Sequence, residues 1–164
     1  GIRFFKEAKA HAVKLEGGKR VVPQIKKLIE SGIPVMGHLG LTPQSVHALG
    51  GFKVQGRGED GDRIIADAKA LESAGVFALV LELVPEELAT QISKALSIPV
   101  IGIGAGAGCD AQVLVWTDLM GITKSAPKLA KAYRNLRIEM LEAAKEFAND
   151  VSSGLFPGPE QTFH

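Results

Sequence analysis

The sequence lacks the features that would assign it to a membrane, a secretory route or nucleic acid. No stretch reaches the roughly 18 uninterrupted apolar residues that a membrane-spanning helix needs. The opening residues GIRFFKEAKA have no apolar core of the kind found in secretory signals. The formal net charge is only +1, and Lys and Arg do not gather in one segment, which argues against nucleic acid as a partner.

Cysteine is almost absent, since Cys109 is the only one among 164 residues. One thiol cannot form an internal disulfide framework or a cysteine-based metal site, so a reducing cytoplasm is the simplest setting. Gly1 is not an initiator methionine, so either that methionine was trimmed or the sequence begins inside a longer protein. We expect residues 1–164 to form a single domain with a core of its own.

One pattern repeats along the chain: a short apolar run, a turn rich in glycine or polar residues, and then an amphipathic helix. The apolar runs predict five strands, within residues 11–18, 33–40, 75–84, 98–108 and 112–121. The spacing predicts helices that end near Gly32 and Gly75, and another that begins after Pro85. A last, longer helix is predicted from about Pro127 to Ser153, with Ser125 as its N-cap and Gly154 at its end.

Apolar strands joined by helices predict a parallel sheet of an α/β protein. A closed eight-stranded barrel usually needs about 250 residues, so this chain is too short to close one alone. From the pattern alone, an open α/β sheet and a partial barrel are equally good predictions.

Functional groups in parallel α/β folds gather at the carboxyl ends of the strands. Reading those ends in order gives Lys14 and Glu16, then His38, Glu82, the glycines of residues 102–108, and Asp118. Because Lys14 and Glu16 lie two residues apart, a strand projects both to the same side. A cation and a carboxylate aimed at one cavity suit a substrate carboxylate and a divalent metal. The alternative is a surface salt bridge.

Glu82 is the most informative of these residues, because it is the one carboxylate in the apolar run GVFALVLELVP (75–85). Burying an ionised carboxylate among aliphatic side chains costs several kcal/mol unless a specific partner offsets it. We therefore predict a functional role, the alternative being a solvated acid just beyond the strand. For His38, a hydrogen-bonded structural role stays open beside a catalytic one. Zinc is disfavoured by the lack of paired His and Cys, and oxygen ligands favour magnesium.

Two glycine clusters resemble nucleotide-binding motifs without completing them. GIGAGA (102–107) leaves too little room for the helix of a dinucleotide site, and GGFKVQGRG (50–58) lacks the ending of a P-loop. The second cluster instead predicts a mobile lid or a close approach of the backbone to a ligand.

Several blocks together resemble a known family. They are VKLEGG (13–18), PVMGHLGLTPQSV (34–46), GGFKVQGRG (50–58), LVLELVP (79–85), IPVIGIGAG (98–106) and FPGPEQTF (156–163). In these blocks the chain is similar to the ketopantoate hydroxymethyltransferases, and the match runs nearly end to end.

The resemblance implies a (β/α)₈ TIM barrel of the phosphoenolpyruvate mutase type, with about five of its eight strands here plus a long C-terminal helix. It implies transfer of a hydroxymethyl group from 5,10-methylenetetrahydrofolate to 3-methyl-2-oxobutanoate, forming 2-dehydropantoate in pantothenate (coenzyme A) biosynthesis, with Mg²⁺ bound by the keto acid. By the same resemblance, Lys14 contacts the keto acid, Glu16 belongs to the magnesium site, Glu82 accepts the proton, and His38 is a neighbour in the substrate site. A cytoplasmic homo-oligomer, a decamer, is expected.

The resemblance begins at what would be the fourth barrel strand, and Ala111 stands where the family usually has glycine. The first three strands, and two magnesium-binding aspartates with them, are outside the match, so we expect the chain alone to be inactive. Two alternatives stay open. One is a carbon–carbon lyase of the same superfamily that acts on 2-oxo or 2-hydroxy acids. The other is a non-catalytic barrel fragment that serves in assembly or binding.

Overall fold

The computed structural model describes residues 1–48 and 50–163. They fall into two compact units, Gly1–Val113 and Leu114–His164. The first unit holds a parallel sheet with its helices, and the second is helical. The assignment of residues 1–164 to a single domain stays a prediction.

The first unit alternates helices and strands along the chain, as the apolar runs predict. Its elements are α1 (Ile2–Lys6), β1 (Val13–Glu16), α2 (Val22–Glu30), β2 (Val35–Gly40), α3 (Asp60–Ser73), β3 (Ala78–Glu82), α4 (Glu86–Ala95), β4 (Val100–Ile103) and β5 (Ala111–Gln112). Short 3₁₀ turns at Lys19–Val21 and Pro43–Ser45 follow the first two strands. Pro85 precedes α4, and Glu86 and Glu87 occupy its first turn, where carboxylates favour the helix dipole.

The five strands form one sheet in the order β1-β2-β3-β4-β5, and every neighbouring pair is parallel. This confirms the predicted α/β class. Strand order follows chain order, so successive right-handed crossovers place the helices on one face of the sheet. That arrangement is the one found in a (β/α)₈ barrel, whereas a doubly wound sheet reverses direction and carries helices on both faces. The sheet is consistent with part of such a barrel.

The core of this unit lies between the sheet and helices α2, α3 and α4. Alternation along the strands sends every second side chain toward the helices. The buried members of this layer are Ile25, Val35, Leu39, Ile64, Ala68, Leu71, Leu79, Leu81, Leu88, Ala89, Ile92 and Val100. The opposite face of the sheet is therefore left to the residues of the candidate site.

The fifth predicted strand is wrong over most of its length. Only Ala111–Gln112 pairs with β4, and Trp116–Leu119 forms a short helix, α5. Strand β4 ends at Ile103, one residue beyond the partner of Gln112, so β4 offers no pairing positions to the residues after Val113. Without a partner for its backbone groups, the apolar sequence that follows cannot extend the sheet.

The second unit contains α5 and the long helix α6, Leu136–Ser153. The predicted start near Pro127 and the predicted N-cap Ser125 are wrong, because the helix is preceded by Asn135. The backbone N–H groups of Tyr133 and Leu136 donate to carbonyls at the end of α5 rather than to carbonyls one helical turn back. The predicted end at Gly154 is confirmed, with φ at +75°.

The apolar side chains of α6 remain largely exposed, and none of its residues is buried. Phe147 contacts Phe156 of the following tail edge to face, with ring centroids 5.3 Å apart. Among the residues described, no helix is both long and apolar enough to cross a bilayer.

Candidate active site

The strand register brings the four predicted site residues to one face of the sheet. Lys14 and Glu16 project to the same side of β1, and Glu16 lies opposite His38 of β2. Two residues further along β2, Gly40 lies opposite Glu82 of β3. Because side chains alternate with a period of two, all four side chains share the face that points away from the helices.

The chain turns sharply just after Glu82, which places this carboxylate at the last position of β3. Leu83 has φ at +49°, a left-handed conformation that is uncommon for a non-glycine residue. Hydrogen bonds hold it there, since its N–H donates to the carbonyl of Ile103 (3.0 Å) and its carbonyl accepts from Gln55 N (2.9 Å). Strained backbone of this kind is often found beside functional groups.

The four side chains form a connected polar cluster. His38 Nδ1 lies 2.9 Å from Lys14 Nζ and 3.8 Å from Glu16 Oε1, and Lys14 Nζ lies 3.6 Å from the same carboxylate oxygen. On the other side of the ring, His38 Nε2 lies 3.2 Å from Glu82 Oε2. The side chain of His38 is 3% exposed and that of Glu82 is 15% exposed, whereas Lys14 is 44% exposed. The structure therefore brings together all four residues that the sequence singled out.

The contact with Lys14 determines which nitrogen of His38 carries the proton. A lysine ammonium has only hydrogens to donate, so His38 Nδ1 must accept and Nε2 must carry the N–H. Although Nε2 is close to Glu82, it forms no hydrogen bond of acceptable geometry with any described residue. A buried N–H without an aligned acceptor costs about 1–3 kcal/mol. The cluster therefore retains a donor that a ligand could satisfy.

The sequence of the chain matches the family model described as ketopantoate hydroxymethyltransferase over residues 1–159. The chain belongs to this family. A relative from Nocardioides sp., named 3-methyl-2-oxobutanoate hydroxymethyltransferase, is 56% identical over 99% of this chain and 55% of its own length. Relatives of the same name from Acidothermus cellulolyticus and Mycobacterium ulcerans are 55% and 56% identical, over 60% and 54% of their lengths. The chain thus spans just over half the length of the curated relatives it matches.

Magnesium, which the resemblance to ketopantoate hydroxymethyltransferases implies, does not fit the residues described. Mg²⁺ favours octahedral oxygen ligands, yet no group of three or more His, Cys, Asp or Glu in residues 1–48 and 50–163 could hold a metal. In the cluster, one oxygen of Glu16 accepts from the backbone N–H of Gln44 (3.1 Å) and the other faces Lys14. A magnesium site would need ligands beyond Glu16.

Asp118 does not join this cluster. The sequence placed it at a strand end, whereas it lies in the short helix α5, is buried, and accepts a hydrogen bond from the hydroxyl of Thr123 within the second unit. Its expected position was wrong because the fifth strand ends earlier than predicted.

The glycine cluster at residues 50–58 packs against the protein's own core at Gly56. A side chain there would collide with Leu88 and Ile64, and φ is +81°. The predicted close approach of backbone therefore occurs, but to core side chains. A lid function of this segment stays a prediction.

Two positioning contacts were missed by sequence reasoning. Gln44 donates a hydrogen bond to Glu16 through its backbone N–H. Because any residue except proline has this group, the residue type at position 44 could not predict the contact. Asp67 is buried on α3, and its Oδ1 accepts from the backbone N–H of Lys19 (3.0 Å), which orders the loop after β1. Asp67 could have been found, because it interrupts the apolar face formed by Ile64, Ala68 and Leu71.

Proposed function

We propose that this chain supplies the base and the keto-acid-binding groups of a hydroxymethyltransferase. The whole protein would transfer the one-carbon unit of 5,10-methylenetetrahydrofolate to 3-methyl-2-oxobutanoate, giving 2-dehydropantoate in pantothenate and coenzyme A biosynthesis. The observation that supports this proposal most is the position of Glu82. Its carboxylate ends β3 on the polar face of the sheet, 3.2 Å from the buried Nε2 of His38.

The first step is removal of the proton on C3 of the keto acid, next to the ketone. A base within hydrogen-bond reach of that carbon's proton is required, and Glu82 would take this role. As the proton moves to Glu82, the electron pair of the C–H bond becomes the enolate. The N–H of His38 lies 3.2 Å from the Glu82 carboxylate without a well-aligned acceptor among the described residues. A small rotation would let it donate to Glu82, and otherwise it is free to donate to a substrate oxygen.

The second step forms the new carbon–carbon bond. C3 of the enolate attacks the methylene carbon of the folate donor in its iminium form, and the C=N electron pair moves to nitrogen. In the net reaction with water, a C–O bond replaces the C–N bond, one water proton stays on the new hydroxyl, and the other leaves on the nitrogen of tetrahydrofolate. Lys14 is the cation available for the carboxylate of the keto acid, because its ammonium is partly exposed beside Glu16 and His38.

The proposal is tested by isotope exchange, which needs no folate. The enzyme form is a chimera in which this chain replaces the segment it matches in the Nocardioides relative. The chimera should exchange the C3 proton of 3-methyl-2-oxobutanoate for deuterium, followed by NMR. Glu82→Gln should abolish exchange while keto-acid binding stays measurable. Glu87→Gln, an exposed carboxylate in the first turn of α4, is the matched control and should exchange normally. Normal exchange in Glu82→Gln would show that Glu82 is not the base.

We also propose, from the resemblance, that the 164 residues alone do not turn over substrate and that the whole protein is a cytoplasmic homo-oligomer, a decamer. Running the isolated chain beside the chimera tests the first point, since exchange by the chain alone would contradict it. Light scattering of the chimera tests the second.

A further inference from the structure

A cavity of about 500 Å³ lies in the first unit at the carboxyl edge of the sheet. Its walls are the loop of residues 17–20 after β1, the segment 39–45 at the end of β2, and α3 from Arg63 to Asp67. This volume is within the usual range for small-molecule sites, about 300–1,000 Å³. The cluster of Lys14, Glu16, His38 and Glu82 does not line it.

The floor of this cavity is apolar and its mouth is cationic. Leu39, Ile64 and Ala66 contribute the apolar part, and Lys19, Arg20 and Arg63 contribute the positive charge. Leu39 belongs to the alternate set of β2 that faces the helices, so the cavity lies on the helix side of the sheet.

Arg63 is already engaged by acids. It forms an ion pair with Asp60 (2.6 Å) and lies 3.6 Å from Asp67, the one carboxylate in the lining. Lys19 and Arg20 form no ion pair with any residue in the described part of the chain, and the side chain of Arg20 folds back over Gly17. The cavity therefore has two uncompensated cations at its mouth.

The side chain of Thr42 adds a polar group to the wall. Thr42 is 7% exposed and lines the cavity. A hydroxyl in the wall of a cavity can donate a hydrogen bond to a polar ligand atom or accept one from it.

We propose that this cavity binds an organic carboxylate with an apolar body, and that the source of this carboxylate is the p-aminobenzoyl-glutamate tail of the folate donor. The apolar floor suits the aromatic ring, and Lys19 and Arg20 suit the carboxylates. Free inorganic anions share the charge but lack the apolar body. The cavity and the cluster lie on opposite faces of the sheet but meet at its carboxyl edge, because the lining residue Gly17 directly follows Glu16 and the lining residue Gly40 lies opposite Glu82. This inference rests on the proposed function, which supplies the folate.

The test is calorimetric titration of the full chain with p-aminobenzoyl-L-glutamate and with its triglutamyl form, neither of which carries a pterin or a one-carbon unit. The triglutamyl form should bind more tightly. Arg20→Gln should weaken binding of both about tenfold, as expected when one charge-assisted contact is lost. Ala66→Leu fills the cavity without changing its charge and should weaken binding as well. Lys94→Gln removes an exposed charge of α4 outside the lining and should leave affinity within about twofold of the parent.

Equal affinity for inorganic phosphate, glutarate and p-aminobenzoyl-glutamate would overturn the assignment, since the site would then recognise charge alone. Unchanged affinity in both Arg20→Gln and Ala66→Leu would overturn it too. The outcome is separable from the proposed function, because C3 exchange needs no folate. Exchange without tail binding would contradict only this inference, and tail binding without exchange would contradict only the base role of Glu82.

Discussion

His38 Nε2 lies 3.2 Å from Glu82 Oε2, and this buried contact joins β2 to the carboxylate that ends β3. The register between β2 and β3 explains this contact. Gly40 lies opposite Glu82, and a side chain at Gly40 would collide with the Glu82 carbonyl oxygen, so glycine lets the two strands approach. His38, two residues earlier on the same face, then reaches diagonally to the carboxylate.

The first prediction is that His38 positions Glu82 for proton removal. His38→Leu removes the N–H and should lower the rate of C3 exchange in the chimera by roughly 10²-fold, the scale of a misplaced general base. His38→Gln keeps an N–H donor and should restore part of the rate. NMR exchange rates, with thermal unfolding of each variant, check this. Equal rates in His38→Leu and the parent would assign His38 a purely structural role.

The second prediction concerns Lys14, whose ammonium lies between His38 and Glu16. Lys14→Ala should weaken binding of 3-methyl-2-oxobutanoate about tenfold, because the carboxylate of the keto acid loses its cation. The effect should appear in the dissociation constant more than in the exchange rate at saturating substrate. Titration of both forms provides the measurement. Unchanged affinity for the keto acid would indicate that Lys14 forms only a surface salt bridge.

Much of the first unit could be predicted from the sequence because its determinants are local. Apolar runs of strand length alternate with helical spacing, and this pattern implies parallel strands with functional groups at one edge. That edge is where Lys14, His38 and Glu82 meet. The order of the strands, which favours a partial barrel over a doubly wound sheet, is not encoded in any single segment.

The misses have a different physical cause: each depends on contacts between segments far apart in sequence. The length of β5 depends on where its partner strand β4 ends. The start of α6 depends on the end of α5, because the backbone N–H groups of Tyr133 and Leu136 donate to carbonyls there. The sequence pattern of residues 112–135 does not reveal these pairing and hydrogen-bond partners. Asp67 is the exception, since a carboxylate on an apolar helix face is visible in the sequence itself.

The third prediction concerns stability and the buried carboxylate of Asp67. Asp67→Ala removes the acceptor of the Lys19 N–H and leaves that donor without its partner, so unfolding free energy should fall by about 1–3 kcal/mol. Asp67→Asn keeps an acceptor oxygen and should lose less. Asp62→Ala, in the first turn of the same helix, should stay within about 1 kcal/mol of the parent. Urea unfolding measures all three, and a loss in Asp67→Ala no larger than in Asp62→Ala would contradict the assignment.

The fourth prediction is a pH dependence of stability at Asp110. Hydrogen bonds from the backbone N–H of Val100 (2.8 Å) and from the Ser93 hydroxyl (3.0 Å) lower the pKa of the Asp110 carboxyl in the folded state. Because the folded pKa is the lower one, this stabilisation is complete above the unfolded value of about 4 and is lost as pH falls through the folded pKa. Parent and Asp110→Asn should therefore differ most near neutral pH and converge in acid. Urea unfolding at several pH values checks this, and a gap that widens below pH 4 would refute it.

The last prediction concerns the thiol of Cys109. Partial burial, and secondly the negative charge of the neighbouring Asp110, raise the pKa of Cys109 above its ordinary value. The thiolate is the reactive form, so alkylation by iodoacetamide near neutral pH should be slower than that of an unstructured cysteine peptide. Asp110→Asn should speed alkylation only modestly, because burial is the larger cause and remains. Alkylation in the native parent at the rate of the peptide would show that Cys109 is more exposed than its packing beside Gly102 indicates.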